Sequence, residues 1–340
     1  MSTSPNVTVL IPTYNRASFL EGTLGSVFGQ TVPVHEVILV DDGCTDDTSN
    51  VVKSLLTEHP EWEERLHYVR QENQGKSVAL NKGLERVAGD WIAFNDSDDR
   101  WLPEKLEWQF RALEQFPDCG ACFTDARFVN NAGMGVSWFE RALKSYPDKT
   151  GRIPDAVRFI VDAPHGVSMC TVLVRTEVMR RVGAFDPQLR VAQDTDFLFR
   201  LARETELCYV NVPLVEVDRA ADRTEGLTSD FSRKTSLIRP LAYEKILVKW
   251  RALSSQDKPV VRRLIRSHLR SIRSEIANWH LTHQDPVKAR RALLDALEAE
   301  VTPALFVKWL LVYCAPRWAA SMVLNRSKRH ETPTLQKQEG

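Results

Sequence analysis

No run of this 340-residue sequence is both long enough and free enough of charge to cross a bilayer. The most apolar stretch, Ala304 to Trp318, is interrupted by Lys308, Pro316 and Arg317. That leaves it two uses, lying in a membrane interface or packing as a terminal helix on a neighbouring domain. The first apolar run, Val7 to Ile11, follows Met1-Ser2-Thr3-Ser4-Pro5 with no basic segment before it, so a cytosolic chain is expected. Cysteine is sparse. The six residues at 44, 119, 122, 170, 208 and 314 form a single CxxC and no second pair, which argues against a zinc module or a disulfide scaffold. No GxGxxG follows the first apolar run, which argues against a dinucleotide fold. Gly75-Lys76-Ser77 resembles the end of a phosphate-binding loop, but Arg70 stands where that loop needs its first glycine. Net charge is also missing, though only on average. Residues 231–340 carry 21 Lys/Arg and 9 Asp/Glu, a net +12, and residues 1–230 carry 24 and 36, a net −12. An acidic front part suits a metal-dependent site, and a basic rear part suits an anionic partner.

What is present is a repeated alternation. Val7 to Ile11, Val37 to Val40, Leu66 to Val69 and Ile92 to Phe94 are short apolar runs that read as buried strands, each followed by a polar loop and a helical stretch. Such βαβ repetition implies a parallel sheet, with ligands gathered outside the carboxyl ends of its strands. Tyr14, Asp41, Asp42, Lys76 and the carboxylates of Asp96-Ser97-Asp98-Asp99 would then face one crevice, although they are spread over some 85 residues. Three carboxylates within four residues repel one another unless solvent or a divalent cation takes the charge. Further on, Glu104 to Phe116 reads as a helix, Gly120 to Val129 and Val167 to Val174 as strands, and residues 130–153 as a long irregular segment. Asp194 and Asp196 stand where another helix begins.

Taken in order, Pro12-Thr13-Tyr14-Asn15-Arg16, Asp41-Asp42-Gly43-Cys44-Thr45-Asp46, Asn73-Gln74-Gly75, Ala79-Leu80-Asn81-Lys82-Gly83, Asp96-Ser97-Asp98-Asp99 and Gly183-Ala184-Phe185-Asp186 resemble the family 2 glycosyltransferases over residues 6–220. The resemblance implies a GT-A type α/β fold with a mostly parallel central sheet flanked by helices. It implies transfer of a sugar, with inversion, from a nucleotide diphosphate sugar, UDP-linked by expectation, to a saccharide or lipid-linked saccharide acceptor in cell-surface polysaccharide synthesis. Residue by residue, Pro12, Tyr14, Arg16 and Asp42 would hold the nucleoside, Lys76 the phosphates and Asp96 the ribose. Asp98 and Asp99 would hold Mg2+ or Mn2+, and Asp194 would act as general base.

The sequence departs from the family pattern at four places. Cys44 replaces the usual Ser, Leu80 a frequent Arg, and Gln193 the acid before the base. Asp218-Arg219-Ala220-Ala221 lacks the His that often ends the domain, which leaves Asp222 or His165 to replace it. Two other readings stay open. A nucleotidyltransferase could share such a sheet, but Pro12 to Arg16 is no Gly-rich basic triphosphate loop. A membrane-surface scaffold with a vestigial site would accommodate the departures. The expected domains are 1–225 for catalysis, a helical 226–330 and a disordered 331–340. Helices are expected over 237–252, 259–278 and 286–299, the second with an exposed arginine face. For the basic region the partner expected is an anionic membrane surface on the inner face of the plasma membrane, and no nucleic acid.

Overall fold

The computed structural model describes residues 5–129, 137, 139, 148–164, 166–218 and 236–330. The expectations for His165, Asp222, the tail after residue 330 and most of the 130–153 segment therefore lie outside the described residues. The chain forms two compact units, Met1–Thr224 and Glu225–Gly340.

The first unit opens with β1 (Val7–Thr13), α1 (Ala17–Phe28), β2 (Glu36–Asp42), α2 (Thr48–Glu58), β3 (Leu66–Gln71), α3 (Lys76–Leu84) and β4 (Trp91–Phe94). These four strands pair in parallel in the order β3-β2-β1-β4. Every residue of β1, β2 and β4 is buried, which is why they read as unbroken apolar runs. The acid that opens β2, Glu36, is hydrogen-bonded by the Thr8 hydroxyl at 2.5 Å and the Ala88 N–H at 2.9 Å. Pairing between β1 and β4 stops at Leu10, two residues before Pro12, so the two chains separate where the site begins.

Beyond β4 the sheet becomes mixed. It continues through β5 (Arg100–Trp101), α4 (Lys105–Gln115), β6 (Cys119–Val129), β7 (Thr150–Arg152), α5 (Ala156–Asp162), β8 (Val172–Arg175), α6 (Thr176–Val182), α7 (Gln193–Glu204) and β9 (Glu206–Asp218). β8 enters antiparallel to both β4 and β6, while β9 runs parallel to β6. The expected strand over 167–174 is corrected at its start, because Met169–Thr171 forms a 3-10 turn and only Val172 onward pairs. β9, absent from the sequence reading, carries Pro213 at a register shift against Asp125, where a missing N–H is tolerated.

The second unit is helical among its described residues: α8 (Ile238–Leu253), α9 (Pro259–Thr282), α10 (Pro286–Ala299), α11 (Pro303–Cys314) and α12 (Pro316–His330). Proline opens α9, α10 and α11, and Asp285 and Thr302 cap the last two of these through their side chains. Val261, Ile265 and Leu269 bury one face of α9, with Arg262, Arg263 and Arg266 exposed. The arginine face is shorter than expected. Arg270 pairs with Glu300 at 3.2 Å and Arg273 with Glu244 at 2.8 Å.

Candidate active site

The loops after β1 and β2 are fastened to each other. Asn15 takes a left-handed backbone (φ 51°), which asparagine tolerates. Its N–H donates to the Cys44 thiol at 3.2 Å and its side-chain oxygen accepts from the Thr45 N–H at 2.8 Å. Cys44 in turn donates its backbone N–H to Asp41 at 2.7 Å. Burial, with the Asp41 charge adding to it, pushes the Cys44 thiol up to about 11, so it works as a neutral hydrogen-bonding group. The third loop closes on the second at Gly43, whose φ is +75° and where a Cβ would stand 2.7 Å from the Asn73 nitrogen. Tyr14 is left 46% exposed at the rim, its ring available for stacking.

Asp42 is buried and spent largely on the protein itself. Its carboxylate accepts from Gln71 Nε2 at 2.8 Å and from the backbone N–H groups of Gln74 at 2.9 Å and Gly75 at 2.8 Å. A carboxylate offers about four lone-pair sites, so roughly one remains for a base edge. Asp41, fully buried, is engaged by the Cys44 N–H, the Tyr68 hydroxyl and, at 3.8 Å, Arg70. These two acids shape the pocket floor.

The charged centre lies at the ends of β1, β3 and β4 and the start of α7. Lys76, first residue of α3, puts its ammonium 2.5 Å from Asp96 Oδ1. Burial alone would lower the lysine, but Asp96, and behind it Asp194 and Asp98, raise it well above its ordinary value. Arg16 reaches Asp98 Oδ2 at 3.4 Å. Three loops at the ends of parallel strands thus share one field with Asp194, which the start of α7 brings in separately. Pro12 lies in β1, buried beside Val40.

Asp194 stands in the first turn of α7 and accepts from the Thr195 N–H at 2.8 Å. The residue before the helix, Ala192, holds φ 58°, an unusual left-handed alanine. Asp196 serves the fold, because it is fully buried against Arg200 at 3.0 Å. Gln193 is buried, and its Oε1 has no partner among the described residues. The placement of α7 depends on two residues that the sequence reading left without a role. Asn81 on α3 accepts from the Phe185 N–H at 2.8 Å and donates to the Phe185 carbonyl at 2.9 Å, while the Ser77 hydroxyl donates to the Leu189 carbonyl at 2.9 Å. Asn81 sits inside the Ala79 to Gly83 motif, which was the available signal.

The carboxylates differ in their suitability for a cation. Asp96 and Asp98 keep 35% and 21% of their side chains exposed, whereas Asp99 is buried beside the Cys170 thiol. Burial, reinforced by the charges of Asp96 and Asp98, pushes the Asp99 carboxyl well above the usual carboxylate range. Among the described residues no three His, Cys, Asp or Glu side chains close into a metal cage. Mg2+ needs no such cage when one or two carboxylates share it with substrate phosphates, and an all-oxygen donor set suits that chemistry. Thr13 Oγ1 and Asn95 Oδ1, buried at the same strand ends, have no partner among the described residues, so the crevice floor has unused polar capacity. The residues present therefore fit a hard cation held jointly with a diphosphate.

Comparison with known proteins bears on the fold and the family. TuaG of Bacillus subtilis, whose name assigns it to teichuronic acid biosynthesis as a glycosyltransferase, is 38% identical over 142 residues, 42% of this chain and 54% of its own length. The chain thus spans about half of that relative, and 64% of an uncharacterized glycosyltransferase of Rickettsia typhi, 26% identical over 63% of this chain. Among solved structures, S. aureus TarS 1–349 in complex with UDP-GlcNAc has a TM-score of 0.66 at 18% identity, covering 96% of this chain and 92% of that one. The mannosyltransferase PcManGT of Pyrobaculum calidifontis, in complex with GDP-Man and Mn2+, has a TM-score of 0.54 at 21% identity, covering 95% and 85%. At such identities these two likenesses show the fold. Residues 8–176 match the model of Glycosyl transferase family 2, the same span that delivers the fastened loops, the Lys76 centre and the Asp96 to Asp99 turn, and through this domain the chain belongs to that family.

Proposed function

We propose that the protein transfers a sugar from a nucleotide diphosphate sugar to a hydroxyl of a saccharide or glycolipid acceptor, with inversion, in cell-surface polysaccharide synthesis. The observation that carries this reading is the meeting of Lys76, Asp96, Asp98 and Asp194 in one field at the carboxyl ends of the strands. A UDP-linked donor is favoured by the likeness to TarS with UDP-GlcNAc, and the acceptor class by the name of TuaG.

In this reading Tyr14 stacks on the base, with Pro12 beneath and the remaining capacity of Asp42 at the base edge. Arg16 stays beside the nucleoside, Lys76 holds the diphosphate, moving from Asp96 when the donor arrives, and Asp96 then takes the ribose. Asp98, with Asp99 as the second expected ligand, would hold Mg2+ or Mn2+, which when bound offsets the negative charge that grows on the leaving diphosphate. Asp194 takes the acceptor hydroxyl proton as that oxygen attacks the anomeric carbon. The bond from that carbon to the diphosphate breaks on the opposite face, and the nucleoside diphosphate leaves with the electron pair.

A panel of nucleotide sugars, titrated with and without Mn2+, tests the reading. Asp98→Ala should abolish metal-dependent donor binding. Asp194→Asn should bind donor normally yet lose transfer by about 100-fold or more. Failure to bind any donor would remove the enzyme reading, and unchanged turnover in the Asn variant would remove Asp194 from the base role.

A further inference from the structure

Apart from Lys308, α11 is apolar around its circumference, but it is not enclosed. Leu305 and Val312, seven residues apart, face the core of the second unit, together with Ala289, Leu293 and Ala296 of α10. The opposite side carries Phe306, Leu310 and Tyr313, at 48%, 39% and 59% exposure. A helix of this kind in water is normally amphipathic, and one that is hydrophobic all round belongs in a core or in lipid. The same pattern continues on α12, where Ala319 is buried while Trp318 and Met322 are about half exposed. The rings of Phe306, Trp309 and Tyr313 stack in sequence at 6.0 and 5.7 Å, which orders the aromatic face.

The charge of this segment has one sign. Residues 301–330 contain Lys308, Arg317, Arg326, Lys328 and Arg329 and no aspartate or glutamate. An aromatic and aliphatic face flanked only by cations is complementary to an anionic bilayer surface, with rings at headgroup depth and basic groups on the phosphates. No described helix is long and apolar enough to cross a membrane.

We propose that α11 and α12 form a monotopic docking surface that lays this protein on an anionic phospholipid bilayer. Phe306, Leu310, Tyr313, Trp318 and Met322 enter the interface, and Lys308 and Arg317 pair with lipid phosphates. The proposal stands on the second unit alone and does not depend on the sugar-transfer reading.

The test is flotation of the full chain with phosphatidylglycerol-containing vesicles and with phosphatidylcholine vesicles, at low and high salt. The wild type should float only with the anionic vesicles, less so at high salt. Phe306→Glu with Leu310→Glu should weaken flotation about tenfold or more, and Lys308→Glu with Arg317→Glu should weaken it and remove the salt dependence. Both variants replace exposed or half-buried residues, and an unchanged circular dichroism spectrum would show that they fold. Absence of flotation with anionic vesicles, or full flotation by the folded Glu variants, overturns the proposal. So does a concentration-dependent dimer of the wild type that the Glu variants abolish without any vesicle binding, an outcome that would assign the face to a second copy.

Discussion

Lys105 is the least expected residue of the first unit, a fully buried lysine on α4 with no carboxylate beside it among the described residues. Its ammonium nitrogen donates to Gln109 Oε1 at 2.9 Å and lies 4.0 Å above the centre of the Trp101 ring. Burial pulls its pKa down to about 7, against which the nearby Cys170 and Cys122 thiols push weakly. The folded value lies below the unfolded one of about 10.4, so the unfolded chain binds the proton more tightly between pH 7 and 10. Stability from this group is therefore complete above pH 10 and falls toward pH 7 by about 1.4 kcal/mol per unit. Lys105→Met should remove that slope, so urea unfolding at pH 7 and pH 9 should differ less in the variant than in the wild type. The absolute gain at pH 7 is reduced because Gln109 loses its donor, at about 1–3 kcal/mol. Equal slopes in both proteins would show that Lys105 does not titrate in this range. Nothing in the sequence signals such a residue. Lys105 follows Pro103 and Glu104 and reads as an ordinary exposed first-turn lysine, and it is the packing of α4 against β6 and β9, with Trp101 beneath the ammonium, that encloses it.

At the scale of elements, what the sequence conveys depends on where a strand finds its partners. β1, β2 and β4 are buried on both faces, so their burial is written in their own residues, and the polar loops after them declare the site. β5, β7 and β9 were not legible. Two of them are only two or three residues long, and β9 contains Pro213, which is acceptable solely because the register with β6 shifts there. Long-range pairing of this kind has no local periodicity to read. The position of α7 is another such case. Asp194 was identifiable from its motif, but its approach to Lys76 rests on Asn81 and Ser77 holding the Phe185 to Leu189 segment against α3. Asn81→Ala deletes both bonds to Phe185 and should cost about 1–3 kcal/mol locally. Because Asn81 touches neither Lys76 nor the carboxylates in any bond described, the expected kinetic signature is a lower kcat with donor KM changed far less. A parallel loss of donor affinity would mean that Asn81 supports the nucleotide pocket instead.

Among the described residues, two of the buried apolar clusters share no residue. One is built from the strands and helices between Val7 and Val217, the other from helical residues between Leu237 and Val323. The proposed donor ligands all lie in the first unit, Met1–Thr224. A ligand stabilises only the cooperative unit that loses it on unfolding, by RT ln(1 + [L]/Kd), about 2.7 kcal/mol at a hundredfold excess over Kd. For a unit of roughly 200 residues this is about 5–10 °C in Tm. Scanning calorimetry of the full chain should therefore show two transitions, and UDP with Mn2+ should raise one of them by that amount and leave the other in place. Asp98→Ala should suppress the shift without moving the second transition. A single transition that shifts as a whole would mean that the two cores unfold as one cooperative body, and the helical unit would then be part of the scaffold that supports donor binding.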